Sequence, residues 1–128
     1  MPRARALVVR VEDRPGVLGE VATALGEKKV NLRAVHGSNE GGQGILRLVV
    51  DKFGVAKRVL AARGWHPQEE EILEIRLSDR PGTLGEAANL LGAAGVNITY
   101  AFVSAGGGRE ATVFLAVSDM KKALRALR

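Results

Sequence analysis

An α+β fold of two tandem, ferredoxin-like βαββαβ modules, each an antiparallel sheet with helices on one face, is predicted by three features of the 128-residue sequence. An octapeptide, Asp13-Arg14-Pro15-Gly16-Val17-Leu18-Gly19-Glu20, recurs 66 residues later as Asp79-Arg80-Pro81-Gly82-Thr83-Leu84-Gly85-Glu86. Residues 13–31 and 79–97 agree without gaps at 12 of 19 positions. Around each octapeptide the apolar spacing switches from period two to helical and back again, in the order strand, helix, strand, strand, helix. The modules are placed at 1–70 and 71–128.

In each copy, alternation opens the module: Ala6 to Glu12 puts Leu7, Val9 and Val11 on one strand face and Val8 and Arg10 on the other, and Leu73, Ile75 and Leu77 repeat the pattern. Helices follow over Pro15–Lys28 and Pro81–Ala94. Proline suits a first helical turn, and Leu18, Val21, Ala22 and Leu25, like Leu84, Ala87, Ala88 and Leu91, form one stripe at i, i+3, i+4 and i+7. Gly95 suits a helix stop, with Lys28-Lys29 in the equivalent turn of copy one. Second strands over 30–38 and 96–105 end at Gly41-Gly42 and Gly106-Gly107-Gly108, and third strands over 45–50 and 111–117 complete hairpins. Asp51 and Ser118 or Asp119 can cap a second helix, over 52–63 and 119–128, and Gly64 ends the first of these.

A fourth strand fits between Trp65 and Glu70, shortened by Pro67 and by Glu69-Glu70-Glu71, which suit an edge. Copy two has no residues for one, so the second module lacks or borrows its fourth strand. In the 4-1-3-2 strand order of this fold, that leaves the strand at Leu73–Leu77 with an open edge. Another segment, from this chain or a second one, is expected to cover it.

The octapeptide sits where a strand hands over to a helix. Gly16 and Gly82 carry no Cβ, so the backbone there can approach another molecule, and the first helical N–H groups lie free at the positive end of the helix dipole. Such an end suits a carboxylate or a phosphate.

Composition narrows the function classes. A module of roughly 60 residues buries only about 60% of its unfolded surface, so the halves are expected to share an interface within the chain, between chains, or both. There is no cysteine, hence no disulfide and no thiolate nucleophile or ligand. No apolar run approaches the roughly 20 residues that span a bilayer, and Met1-Pro2-Arg3-Ala4-Arg5 leads into a strand rather than resembling a signal peptide, so a soluble cytoplasmic protein is expected. The net charge of +5 comes from residues 1–69, with 12 Lys+Arg against 7 Asp+Glu, and residues 70–128 are balanced at 7 each. Lys28-Lys29 and Lys57-Arg58 are isolated basic pairs that read as solvated faces rather than a phosphate track.

The octapeptides, taken with Val30-Asn31-Leu32 and Val96-Asn97-Ile98, resemble the ACT domain family, ligand-sensing modules attached to amino-acid biosynthetic enzymes such as aspartate kinase and phosphoglycerate dehydrogenase. The resemblance covers nearly the whole chain. It implies that a small ligand, usually an amino acid, sits where two modules meet, between the strand-to-helix turn of one and the second strand of its neighbour. The implied contacts are Asp13 or Asp79, the amides near Gly16 and Leu18 or near Gly82 and Leu84, with Val17 or Thr83 lying between them in the site, and Asn31 or Asn97 opening strand two. The chemistry agrees: helix-end amides suit an α-carboxylate, Asp an α-ammonium, and Asn both donates and accepts. Serine-sensing relatives carry a histidine two residues before the turn-opening position and an asparagine at it. Here those places hold Val11 or Leu77 and Asp13 or Asp79, so serine is not specifically supported.

Blander readings stand beside these. Asp-Arg-Pro-Gly also serves as a capping turn that binds nothing, Asn31 and Asn97 suit the left-handed conformation before a strand, and Arg14 and Arg80 read as solvent-facing. The glycine-rich turns lack the Lys-Ser/Thr ending of a phosphate loop and read as hairpin tips. His36 and His66 lack a supporting ligand pattern, so no metal site and no cofactor is expected. Tyr100 and Phe102, standing where copy one has Ala34 and His36, are the largest chemical difference between the copies. They make the two pockets unequal or pack against a partner sheet.

No residue set supplies a nucleophile held by a base. The phosphate-cradling glycines of acylphosphatase-type enzymes and the sheet aromatics of RNA-recognition modules, which share this element order, are also missing. A non-catalytic regulatory sensor is therefore expected, binding an amino acid or similar small carboxylate and coupling it to association or to a metabolic enzyme or regulator. It is expected to be a homo-oligomer, with neither membrane nor nucleic acid as partner. The alternative is a scaffold of the same fold with vestigial pockets.

Overall fold

The computed structural model describes residues 2–105 and 107–128. The element order is β1 (Arg3–Val11), α1 (Val17–Glu27), β2 (Leu32–Glu40), β3 (Gln43–Val50), α2 (Phe53–Ala62), β4 (Gln68–Ser78), α3 (Thr83–Ala93), β5 (Ile98–Ala105), β6 (Glu110–Val117) and α4 (Met120–Ala126). Two tandem βαββαβ-type modules are present. Of the described residues, 5–70 form one compact unit, and 2–4 with 71–128 form the other.

In the first unit the strands run β2-β3-β1, all antiparallel, with Leu7 opposite Leu48 and Val9 opposite Leu46. The alternation read from the sequence is realised. Leu7, Val9 and Val11 share a core with Leu46 and Leu48 of β3, Val21 and Leu25 of α1, and Ala56 and Leu60 of α2, which puts both helices on one sheet face. Each fully buried leucine in such a core contributes about 2 kcal/mol through removal of apolar surface from water. The second unit repeats the scheme with strands β4-β6-β5, and Leu73, Val113 and Leu115 pack against Leu91 of α3 and Ala123 of α4. On the opposite face, Tyr100 stacks on Phe102 at 6.0 Å and Phe102 on Phe114 at 5.2 Å.

The division between units falls inside β1 and β4. In the first unit the expected fourth strand is only the opening of β4, whose Glu69 takes Arg5 of β1 at 3.3 Å and pairs with Lys57 of α2. Arg5 also lies 3.9 Å over the Phe53 ring. The strand does not stop after the acidic run; it continues unbroken as the first strand of the next module. In the second unit the exposed edge is met by the chain's own start. The Glu74 N–H donates to the Pro2 carbonyl at 2.7 Å, and Arg3 pairs with Glu71 at 2.9 Å.

Helix ends differ from expectation in physically readable ways. Pro15 and Pro81 lie outside the helices, which begin two residues later. Leu18 and Leu84, assigned to the core stripe, are 48% and 43% exposed. Asp119 caps α4 by accepting from the Lys122 N–H at 3.0 Å, whereas α2 has no side-chain cap. Asp51 and Ser118 are used elsewhere: they accept the Asn31 and Asn97 N–H groups, each at 2.9 Å.

Helices α1, α2 and α3 close with one motif: Val30, Trp65 and Val96 donate to Leu25, Leu60 and Leu91 at 3.0, 3.1 and 2.9 Å. The residue before each donor must turn left-handed. Gly64 (φ +83) and Gly95 (φ +77) do so freely, but in copy one that place is taken by Lys29, at φ +62. The left-handed turn thus belongs to Lys29 and Gly95, not to the neighbouring asparagines. A left-handed L-residue costs roughly 1–2 kcal/mol, part of which glycine's greater unfolded freedom returns. Lys29→Gly is therefore expected to stabilise the protein by up to about 1 kcal/mol and Gly95→Ala to destabilise it by about 1 kcal/mol. Urea unfolding midpoints check both signs.

Candidate functional site

The repeated octapeptide builds a type II β-turn in both copies. The Val17 N–H reaches the Arg14 carbonyl at 3.4 Å, with Gly16 at φ +89 and ψ −9; Thr83 reaches Arg80 at 3.4 Å, with Gly82 at φ +93 and ψ −13. Proline fixes the first central residue and only glycine takes the second at low cost. An added Cβ at either glycine meets nothing within 4 Å. The glycine is needed for its dihedral, then, rather than for close approach.

The same glycine is the helix N-cap, its carbonyl accepting from Glu20 or Glu86 at 3.0 Å. It offers no side-chain cap. The turn consumes the Val17 and Thr83 amides. The amides of Leu18 and Gly19, and of Leu84 and Gly85, have no acceptor among the described residues. In copy two the Thr83 hydroxyl also donates to the Ser78 carbonyl at 2.8 Å, clamping the turn to the end of β4.

A cavity lies beside each turn, within its own unit. That of the second unit, about 190 Å³, is lined by Asp79, Arg80, the helix opening from Gly82 to Gly85, and Val103 of β5. That of the first, about 270 Å³, is lined by Asp13 and Val17 together with Gly37 and Ser38 of β2. Copy two thus assembles Asp79, Gly82, Thr83 and Leu84 around one space. In copy one Asp13 and Val17 meet, but Gly16 and Leu18 do not line the cavity. Leu84 and Val103 are 43% and 50% exposed at the second cavity, an apolar lip on an open site.

Asn31 and Asn97 are not in either cavity. Their backbones tie the start of β2 and β5 to the residues after β3 and β6, since Asp51 donates to the Asn31 carbonyl at 3.2 Å and Ser118 to that of Asn97 at 2.9 Å. Each asparagine is exposed and sits at the end of its strand remote from the turn, roughly 20 Å along six residues from Gly37 or Val103. Within one module, turn and asparagine do not meet.

The structure adds Asn39, which the sequence did not single out. Asn39, near the tip of the first hairpin, donates to the Asp13 carboxylate and accepts from the Gly42 N–H at 3.2 Å. Arg14 pairs with Glu20 at 2.6 Å and with Glu12 at 3.2 Å. The hydrogen bond from Arg14 holds the Glu20 carboxyl below the usual carboxylate range and raises Arg14 in turn. No group of three or more potential metal ligands exists among the described residues, and no helix among them is long and apolar enough to cross a membrane.

The ACT domain family model matches residues 5–58 and 72–128. Among solved structures, the chain is similar to a Bacteroides thetaiotaomicron protein at 28% identity and a TM-score of 0.91, over 98% of this chain and 87% of that one. It shares its fold with the regulatory subunits of aspartate kinase from Thermus thermophilus (16% identity, TM-score 0.69, 99% and 91% covered) and Thermus flavus (17%, 0.62, 99% and 91%). No curated protein matches the chain.

The Glu20 shift carries a sign. A carboxyl lowered on folding adds stability above its unfolded pKa, near 4.5, and loses it as pH falls through the folded value. Glu20→Gln should accordingly be less stable than the parent at pH 7, with the gap closing by pH 3. Urea unfolding of both at the two pH values measures it.

Proposed function

The chain belongs to the ACT domain family, and we propose that it works as a non-catalytic sensor of an amino acid or similar small carboxylate. The observation that carries this reading is the second-unit cavity, where a carboxylate and unpaired helix-end amides border one open space. An α-ammonium suits Asp79, and an α-carboxylate suits the amides at Leu84 and Gly85, which lie at the positive end of the α3 dipole. By the equivalent placement, Asp13, Gly16, Val17, Leu18 and Asn31 form the first-module set, and Asp79, Gly82, Thr83, Leu84 and Asn97 the second. Val17 and Thr83 contribute side chains and turn geometry rather than amides.

The exposed Asn31 and Asn97, unable to reach the turn of their own module, complete a site only when presented by a neighbouring module. A second copy of the chain is the natural source, and the exposed apolar lip of Leu84 and Val103 gives it a surface to cover. We take the modules as 1–70 and 71–128. A ligand bridging two modules favours the assembled state by linkage, about 2.7 kcal/mol at a hundredfold excess over Kd. That is the free energy available for controlling a metabolic enzyme or another regulator.

A thermal-shift screen against the twenty amino acids and a few nucleotides tests the reading. One amino acid, or a chemically related few, should raise the melting temperature by several degrees, and sedimentation should show the assembled species gaining population. If none shifts melting, the scaffold reading replaces the sensor.

A further inference from the structure

The two turns share a backbone but not their side-chain surroundings. In copy one every charge at the corner is already answered. Asp13 accepts from Asn39, which the Gly42 N–H holds in place. Arg14 is gripped by Glu20 at 2.6 Å and Glu12 at 3.2 Å. One repeat later, each of these locks is missing or slack. Ala105 stands in the place of Asn39 and has no side-chain donor, and Ser78 stands in the place of Glu12. Asp79 has no side-chain partner among the described residues, and the remaining acid, Glu86, lies 3.8 Å from Arg80 against 2.6 Å in copy one. An exposed pair that loose holds an arginine weakly.

The cavities differ in the same direction. Arg80 and the helix-opening residues Gly82, Leu84 and Gly85 border the second one, whereas neither Arg14 nor Gly16, Leu18 or Gly19 borders the first.

We infer that the two corners have divided their roles: only the second-module corner takes the ligand, and Arg80 is a further ligand-binding residue that clasps its carboxylate. The ligand class is a zwitterion whose ammonium meets Asp79 and whose carboxylate meets the Arg80 guanidinium and the α3 amides. Arginine presents paired N–H donors that match a carboxylate's two oxygens, and such charge-assisted bonds are about twice as strong as neutral ones. Asn39 is the residue that takes the first corner out of use, by engaging the Asp13 carboxylate internally. This inference rests on the sensor reading and adds stoichiometry and a specificity element to it.

The experiment uses the full chain and, as probe, whichever of the twenty amino acids gives the largest thermal shift, titrated calorimetrically. One ligand per chain is expected. Asp79→Asn and Arg80→Gln should each weaken binding tenfold or more, and Arg14→Gln should leave it within about twofold. For Arg80→Gln, a carboxamide analogue of the probe should lose much less affinity than the parent amino acid, which a merely structural role would not produce. These positions are exposed, so unliganded melting reports that each variant folds. Two equivalent sites per chain, or a loss with Arg14→Gln equal to that with Arg80→Gln, would overturn the inference while leaving the sensor reading standing. Absence of any amino-acid response in the parent protein overturns both.

Discussion

The constraint on which the molecule rests is one backbone conformation, used twice: a glycine at φ near +90° that closes a type II turn and caps a helix in the same step. Because Gly16 and Gly82 serve as both turn residue and N-cap, the chain reverses from strand to helix without a side-chain acceptor at the helix start. That arrangement leaves the next amides without an acceptor among the described residues. In the first helical turn Leu18 and Leu84 stand in solvent, while Val21, Leu25 and Leu91 three to seven residues on are buried. Local geometry, core packing and the chemistry at the corner thus follow from the same dihedral angle.

Once that backbone is fixed, the side-chain chemistry at each corner is set by neighbours that the turn itself does not specify. Asn39 and Glu12 surround the first corner with its own hydrogen-bond partners, and Ala105 and Ser78 do not do so for the second. The fold tolerates either solution, since these are exposed side chains on an unchanged frame, and exposed ion pairs add little to stability. A duplicated module can therefore change the chemistry of its corner through a few surface substitutions.

Much of this was legible from residue order. The 66-residue period, the alternation at Leu7-Val9-Val11 and the Gly41-Gly42 tip identified the modules, the sheet faces and the first hairpin, because period and turn chemistry are local signals. The second tip includes Gly106, which lies outside the described residues. What escaped the sequence depends on partners distant along the chain. Glu69-Glu70-Glu71 looked like the end of an edge strand, yet Arg3, Arg5 and Lys57 meet Glu71 and Glu69, so the strand runs on. Pro15 suited a first helical turn, but glycine in the next place moved the start to Val17. Lys29 hid a left-handed position because lysine carries no such signal; only its alignment with Gly95 could have exposed it. The link from Asn39 to Asp13 spans 26 residues, and no pattern in the intervening sequence announces it.

The boundary inside β1 and β4 bears on how this chain tolerates dissection. Residues 2–4 belong with the C-terminal half, and residues 68–70 belong with the N-terminal half. A break placed after residue 70 would strip Glu71 of Arg3 and Glu74 of its bond to Pro2, even though no secondary-structure element of the C-terminal half other than β4 is touched. The C-terminal repeat is separable on paper but depends on the first residues of the chain, so shuffling it into another protein would require carrying along a short strand from outside its own boundaries.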